Sequence, residues 1–252
     1  VLPTLNQIAD APSDGVQVLI LCPTRELAIQ IDQQIQGIAY FTNASCYPVY
    51  GGGDGVSWEA EADALKGGAD IIVATPGRLM AHMARGYVKF DTVKHLILDE
   101  ADRMLDIGFY DDIIKIIDAL PAERQSLMFS ATMAPPIRKL ADKFLRNPKE
   151  IEVARASSTA TTVEAFLVSS DEKEKQSTLR AIVQAEKPKS SIVFCNRKRD
   201  ISTVVDTLRK AGFTAAPMHG DLSQPKRMET LEAFRTESLS ILVCSDVAAR
   251  GI

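Results

Sequence analysis

The strongest constraint on this chain is a rhythm: short, continuous apolar runs alternate with segments of helical periodicity from one end to the other. Strand-like runs stand at residues 16–22, 46–50, 70–74, 95–98, 126–129, 192–195, 214–217 and 241–244. Helical spacing of apolar residues fills gaps between them, at 26–38, 59–65, 113–120, 137–145, 201–211 and 227–234. Parallel neighbours need long crossovers, and crossover helices cover the sheet, so continuous apolar strands alternating with helices predict α/β architecture with parallel sheets buried on both faces.

One stretch breaks the rhythm. Residues 155–162 read RASSTATT, small and polar with nothing to bury, which predicts an interdomain linker. Charge changes at the same place. Residues 1–153 carry 14 Lys and Arg against 21 Asp and Glu, whereas residues 154–252 carry 15 against 12. Two lobes are therefore expected over 1–154 and 162–252, joined by a linker at 155–161, with a cleft between them as the place for ligands. The overall charge of −4 does not advertise a nucleic-acid binder. It does not exclude one either, because a few well-placed cations and backbone donors suffice to hold phosphates.

No apolar run approaches the roughly 18 residues of a membrane span. The four cysteines, Cys22, Cys46, Cys195 and Cys244, include no C-x-x-C pair. Cys22, Cys195 and Cys244 end apolar runs and are expected to be buried free thiols, which suits a reducing, cytoplasmic compartment. The three histidines are scattered, so a structural zinc site is not expected.

The most informative segment is KHLILDEAD at 94–102. Its apolar centre predicts a buried strand that delivers Asp99 and Glu100 to the carboxyl edge of a sheet, where open α/β sheets bind ligands. One carboxylate there suits Mg²⁺ on a nucleotide phosphate, and its neighbour suits orienting and deprotonating a water. An acidic start to the next helix is the alternative for four letters alone. Capping explains the continuation DEADRMLDIGF at 99–109 poorly.

That continuation resembles motif II of the DEAD-box RNA helicases, and six further segments resemble other motifs of that family in its order. They are PTRELA at 23–28, TPGR at 75–78, SAT at 130–132, IVFCN at 192–196, HGDLSQPKR at 219–227 and SDVAARGI at 245–252. The match runs from the first residue to the last. The resemblance implies two RecA-like lobes, ATP and Mg²⁺ as cofactors, RNA as partner, and ATP-dependent separation of short RNA duplexes. It implies that Asp99 holds Mg²⁺ through the nucleotide, that Glu100 is the general base, and that Ser130 and Thr132 hydrogen-bond Asp102, linking the nucleotide site to the RNA side. These five form the candidate catalytic group.

Residue by residue, the resemblance assigns grip on the RNA sugar-phosphate backbone to Arg25, Thr75, Gly77 and Arg78, and to a glycine turn taken as Gly51 and Gly52. In the second lobe it assigns RNA contact to Gln224 and Arg227, the counterpart of Arg227 also bridging the lobes around ligand in the family, and to Ser245 and Arg250 within the motif that usually opens with Thr. The resemblance also implies ribonucleoprotein partners and no membrane.

Plain chemistry offers alternatives at several of these positions. Thr24 and Thr75 suit helix capping, and Ser130 and Thr132 suit a cap before the helix at 137–145. Arg197, Lys198 and Arg199 are either a phosphate-facing cluster or a solvated helix start.

The glycine run at 51–53 is not a phosphate loop, because no Lys-Ser/Thr follows it, and no G-x-x-x-x-G-K-[ST] occurs anywhere in the 252 residues. VLPTLNQI is similar to the tail of the helix that follows that loop in the family. The family's later arginine-rich motif is not present either. The expected reading is an active helicase represented by its middle portion. A non-catalytic RNA clamp and a DNA-translocating helicase are the rivals. Lacking a phosphate cradle and transition-state arginines, the isolated 252-residue chain is expected to show no RNA-stimulated ATP turnover. A phosphate-release assay checks this, and measurable turnover would defeat the expectation.

Overall fold

The computed structural model describes residues 1–8, 15–51, 58–152 and 163–245. They form two compact units, each a parallel sheet with helices against it. The expected linker at 155–161 lies outside the described residues, as do Gly52 and Arg250.

The first unit runs α1 (Leu2–Ile8), β1 (Val18–Leu21), α2 (Arg25–Ile38), β2 (Cys46–Val49), α3 (Trp58–Asp63), β3 (Ile71–Ala74), α4 (Pro76–Met83), β4 (His95–Leu98), α5 (Ala101–Ile107), α6 (Tyr110–Asp118), β5 (Gln125–Met128) and α7 (Pro135–Phe144). Its sheet has the order β2-β3-β1-β4-β5, and every adjacent pair is parallel. The register is uniform. Val49 pairs with Ala74, Ala74 with Leu21, Leu21 with Leu98 and Leu98 with Met128, so all five strands end in one row.

Alternation along the strands feeds two cores. Leu19, Leu21, Ile72, Leu96 and Leu98 face one side and pack with Leu79, Met104, Ile113, Ile116 and Leu140 of α4 to α7. Val18, Ile20, Ile71, Val73 and Ile97 face the other and pack with Leu5, Ile8, Ala28 and Ile35 of α1 and α2. Every residue of β1, β3 and β4 is buried. Each such aliphatic side chain contributes about 1.5–3 kcal/mol, which is why these runs carry no polar alternation.

The second unit runs α8 (Lys175–Glu186), β6 (Ser191–Cys195), α9 (Lys198–Lys210), β7 (Ala215–Met218), α10 (Gln224–Arg235) and β8 (Ile241–Ser245), with the parallel order β6-β8-β7. Here the expectation of two covered faces needs correction. One face is buried by α8 and α9 through Val183, Ile201, Val204, Val205 and Leu208. Among the described residues the other is covered by α10 only over β7 and β8, through Leu231 against Met218, Leu242 and Cys244. Edge strand β6 therefore leaves Ile192 and Phe194 exposed. The cysteine expectation is corrected in the same strand: Cys22 and Cys244 are buried, but Cys195 is only half-buried, as is Cys46, and all four are free. Among the described residues no helix is long and apolar enough to cross a membrane.

Candidate functional site

Because the five strands of the first unit end in one row, the five connections that follow them emerge along one edge. Those connections hold Thr24 and Arg25 after β1, Gly51 after β2, Thr75 to Arg78 after β3, Asp99 to Asp102 after β4, and Ser130 to Thr132 after β5. Sequence segments up to about a hundred residues apart thus share one rim. The strand order reverses at β1, which β3 flanks on one side and β4 on the other, and such a switch point is where open α/β sheets bind ligands.

Asp99 stands one residue beyond β4, and its N–H donates to the Leu21 carbonyl at 2.9 Å, extending the β4–β1 ladder to the rim. Its Oδ1 accepts the Glu100 N–H at 3.0 Å. Burial pushes the Asp99 carboxyl above the usual carboxylate range, and that single N–H offsets only part of the effect. Glu100 occupies the left-handed region at φ 50°, ψ 50°, a conformation that costs energy for any residue with a side chain. It turns the chain from β4 straight into α5. Burial raises its carboxyl too. Arg103, whose Nη1 donates to Oε2 at 3.2 Å, opposes the rise, and the charges of Asp99 and Asp102 add to it.

Asp102 behaves in the opposite sense. Its Oδ2 accepts both the Thr132 N–H and the Thr132 hydroxyl, each at 3.0 Å. Its own N–H donates to Ser130 Oγ at 3.3 Å, and the Ser130 hydroxyl donates to the Thr132 carbonyl at 2.8 Å. Burial would raise this carboxyl, but bonds from Thr132, Ser130 and the Arg103 N–H outweigh it and hold Asp102 below the usual range. Two backbone bonds beyond the strands set the spacing: Phe129 N–H to Leu98 O at 2.8 Å and Ala101 N–H to Phe129 O at 3.0 Å. The capping alternative for Ser130 and Thr132 fails, because the cap position of α7 is Ala134 and no side chain caps it.

The other predicted positions of this unit divide. Thr24 caps α2, its Oγ1 accepting the Leu27 N–H at 3.3 Å, and leaves Arg25 exposed at the helix start. Thr75 sits at the cap position of α4 but makes no capping bond and is buried, so capping does not account for it. Gly51 has φ +65°, a conformation that favours glycine, and a Cβ there would press on the Arg78 side chain, 2.9 Å from Cδ. Gly77 differs: a Cβ there would meet only Phe109 at an ordinary 3.5 Å.

Arg78 has a partner that sequence reasoning missed. Its Nε donates to Glu61 Oε2 at 2.6 Å, and its guanidinium carbon lies 4.4 Å from the Trp58 ring centre. Glu61 is wholly buried and also accepts from Tyr50 N–H at 3.2 Å, Gly51 N–H at 3.0 Å and His82 Nε2 at 2.8 Å. His82 stacks on Trp58 at 3.8 Å, and its Nδ1 meets the Tyr87 hydroxyl. A readable signal existed. Glu61 lies four residues before buried Leu65, and His82 three after buried Leu79, so both interrupt apolar stripes with groups that need partners.

In the second unit the strand ends again gather candidates, with Cys195 pairing with Ser245 across β6 and β8. Ser245 and Arg227 are half-buried. Gln224 is the first residue of α10, and its side chain lies outside the described set. Arg197, Lys198 and Arg199 line a cavity of about 700 Å³ with Ser202, His219 and Asp221. Lys198 is bonded to Asp221, and Arg199 lies 3.8 Å from Asp200, so acids already meet two of the three cations.

Comparison with known proteins agrees with this geometry. The family described as DEAD/DEAH box helicase matches residues 1–140, and the helicase conserved C-terminal domain matches residues 174–252. Over its whole length the chain is 42% identical to an ATP-dependent RNA helicase CshA of Listeria monocytogenes, covering 48% of that protein. It is 37% identical to the DEAD-box ATP-dependent RNA helicase CshA of Bacillus subtilis, covering 50% of it. The chain thus spans about half the length of the curated relatives it matches. Among solved structures, S. cerevisiae Dbp5 bound to RNA and ADP BeF3 matches with a TM-score of 0.83 and 28% identity, over 98% of this chain and 62% of that one. A DEAD box protein of Methanococcus jannaschii matches at 0.53 and 37% identity, over 95% and 64%.

Burial holds the His82 imidazole below its ordinary value of 6.5, against the opposing pull of Glu61 and with help from the Arg78 charge. The fold therefore keeps His82 neutral, with Nε2–H donating to Glu61 and Nδ1 accepting from Tyr87. The unfolded chain takes up that proton first as pH falls. The stability His82 contributes is complete above its ordinary value and is lost as pH drops towards the lowered one. Between about pH 7 and pH 5 the melting temperature is expected to fall more steeply than in a His82→Gln variant; parallel curves would contradict this.

Proposed function

The chain belongs to the DEAD/DEAH box helicases, and we propose that the intact protein is an ATP-dependent RNA helicase that couples ATP binding and hydrolysis to local unwinding of RNA duplexes or remodelling of ribonucleoproteins. The observation that carries this reading is the common rim: uniform register brings the DEAD and SAT segments, Gly51 and TPGR to one sheet edge. We assign residues 1–154 to the lobe of the ATP-binding type, 155–161 to a linker and 162–252 to the C-terminal helicase lobe. Four free thiols suit a cytoplasmic location.

The carboxylates after β4 fit Mg²⁺. Among the described residues Asp99 forms no ion pair, and burial raises its carboxyl with one N–H in compensation, the condition of an anion short of positive charge. No three His, Cys, Asp or Glu side chains among the described residues converge on a metal position, so Mg²⁺ would take its other oxygens from phosphate and water, its usual preference. The 252 residues contain no phosphate loop, so Asp99 and Glu100 are the groups offered here to Mg-ATP. Bound Mg-ATP would supply the phosphoryl group whose transfer to water drives the cycle.

In this reading Asp99 would hold Mg²⁺ through the nucleotide, and Glu100 would orient the attacking water and take its proton at the carboxylate. The left-handed turn aims Glu100 independently of Asp99, and its raised carboxyl makes it a better proton acceptor than an exposed glutamate. Asp102, held low by Thr132 and Ser130, stays charged and would couple this edge to the β5 connection through its bonds to Thr132. Arg25, Gly51, Gly52, Thr75, Gly77 and Arg78 would hold RNA sugar-phosphate from this lobe, with Gln224, Arg227, Ser245 and Arg250 from the other. Gly77 is exposed and lacks a side chain, which leaves its backbone open to close approach by a phosphate. Backbone contacts of this kind carry little sequence specificity.

In the intact protein, Glu100→Gln is expected to abolish ATP turnover and to leave ATP-dependent RNA binding in place. Phosphate release and RNA-binding titrations measure the two. Normal turnover in the variant would refute the assignment, and a wild-type protein that binds RNA without turnover would favour the clamp.

A further inference from the structure

Glu61 belongs to none of the segments that resemble the family, yet among the described residues no carboxylate is buried as completely. Four donors meet its two oxygens. Oε1 takes the N–H groups of Tyr50 and Gly51, and Oε2 takes Arg78 Nε and His82 Nε2. A buried carboxylate is tolerated only where such bonds replace its hydration, so the donors are held as firmly as the acid. Two of those donors, Gly51 and Arg78, are RNA-contact candidates on separate connections.

We propose that Glu61 is a positioning residue for RNA: it locks the glycine turn after β2 to the arginine after β3, so that both meet the sugar-phosphate backbone already in place. The inference rests on the helicase reading above and deepens it. Glu61 binds only the Nε edge of Arg78, while Trp58 sets the plane of the guanidinium. No described partner takes the two terminal nitrogens, the pair suited to a phosphate, and the side chain remains 23% exposed. Gly51 is fixed on the same scale. Its N–H is bonded to Glu61, and a Cβ there would push the Arg78 side chain from its place. Without Glu61, Arg78 becomes a long flexible cation that must be ordered during binding, and the turn loses two of its bonds.

The test uses the intact protein, with single-stranded RNA titrated into an ATP-turnover assay and melting temperatures recorded in parallel. Glu61→Ala is expected to raise the RNA concentration for half-maximal stimulation at least about tenfold. Turnover at saturating RNA should stay within about twofold, and half-saturating ATP should not move. Glu61→Gln keeps the Oε1 bonds but loses the charge facing Arg78, and a rise of about threefold is expected. Arg78→Gln should raise half-saturation as well, and the Glu61→Gln/Arg78→Gln pair should show less than the product of the two effects.

A folded Glu61→Ala protein with wild-type half-saturation overturns the proposal. So does a proportional loss of turnover at saturating RNA in Glu61→Gln, which marks a purely structural role. If Glu61→Ala does not fold, unchanged half-saturation in Glu61→Gln together with multiplicative double-variant effects overturns it. Absence of RNA stimulation in the wild type defeats the helicase reading itself, and this proposal with it.

Discussion

Parallel pairing of β4 with β1 on one side and β5 on the other is the interaction on which the site depends. The pairing holds Leu98 level with Leu21 and Met128, and three further backbone bonds, from Asp99, Ala101 and Phe129, continue it past the strand ends. A slip of one residue would send Leu96 and Leu98 to the opposite face and carry Asp99 off the rim. The apolar side chains that bury the central strands thus also fix where the acids stand. Asp99 and Glu100 sit half-buried with raised carboxyls, while Asp102, two residues on, is drawn down by Thr132. Three neighbouring acids acquire different properties because a strand end, a left-handed turn and the next helix give each its own surroundings.

Much of this was legible in the sequence, for physical reasons. All eight strands appear within a residue or two of where apolar runs predicted them, because a buried parallel strand admits few polar residues. The link from Asp102 to Ser130 and Thr132 was expected only through the family resemblance, and it is present. What the sequence left ambiguous was sorted by local competition. Thr24 caps its helix and Thr75 does not, although each follows a strand and precedes a helix. Ser130 and Thr132 could have capped α7, but the Thr132 hydroxyl donates to the charged Asp102 carboxylate, and the Ser130 hydroxyl donates to the Thr132 carbonyl while its oxygen accepts the Asp102 N–H.

The less legible part lies where side chains from distant segments meet. Glu61, Trp58, Arg78 and His82 converge from α3 and α4. Periodicity marks Glu61 and His82 as misplaced on their helices but does not name their partners. The uncovered outer face of β6 was likewise unreadable, since an apolar run looks the same whether one face or both are packed. The backbone strain at Glu100 has no compositional signature, because only the sharp passage from β4 to α5 imposes it.

The β4–β5 pairing ties the acids after β4 to the hydroxyls after β5. The most direct measurement compares ATP turnover with RNA duplex separation in the intact protein carrying Thr132→Val. This change removes the hydroxyl bond to Asp102 and keeps the Thr132 backbone bond. RNA-stimulated turnover is expected to persist within a few-fold while duplexes separated per ATP fall about tenfold, the size of one charge-assisted hydrogen bond. Equal loss of both activities, or no change in either, would contradict this.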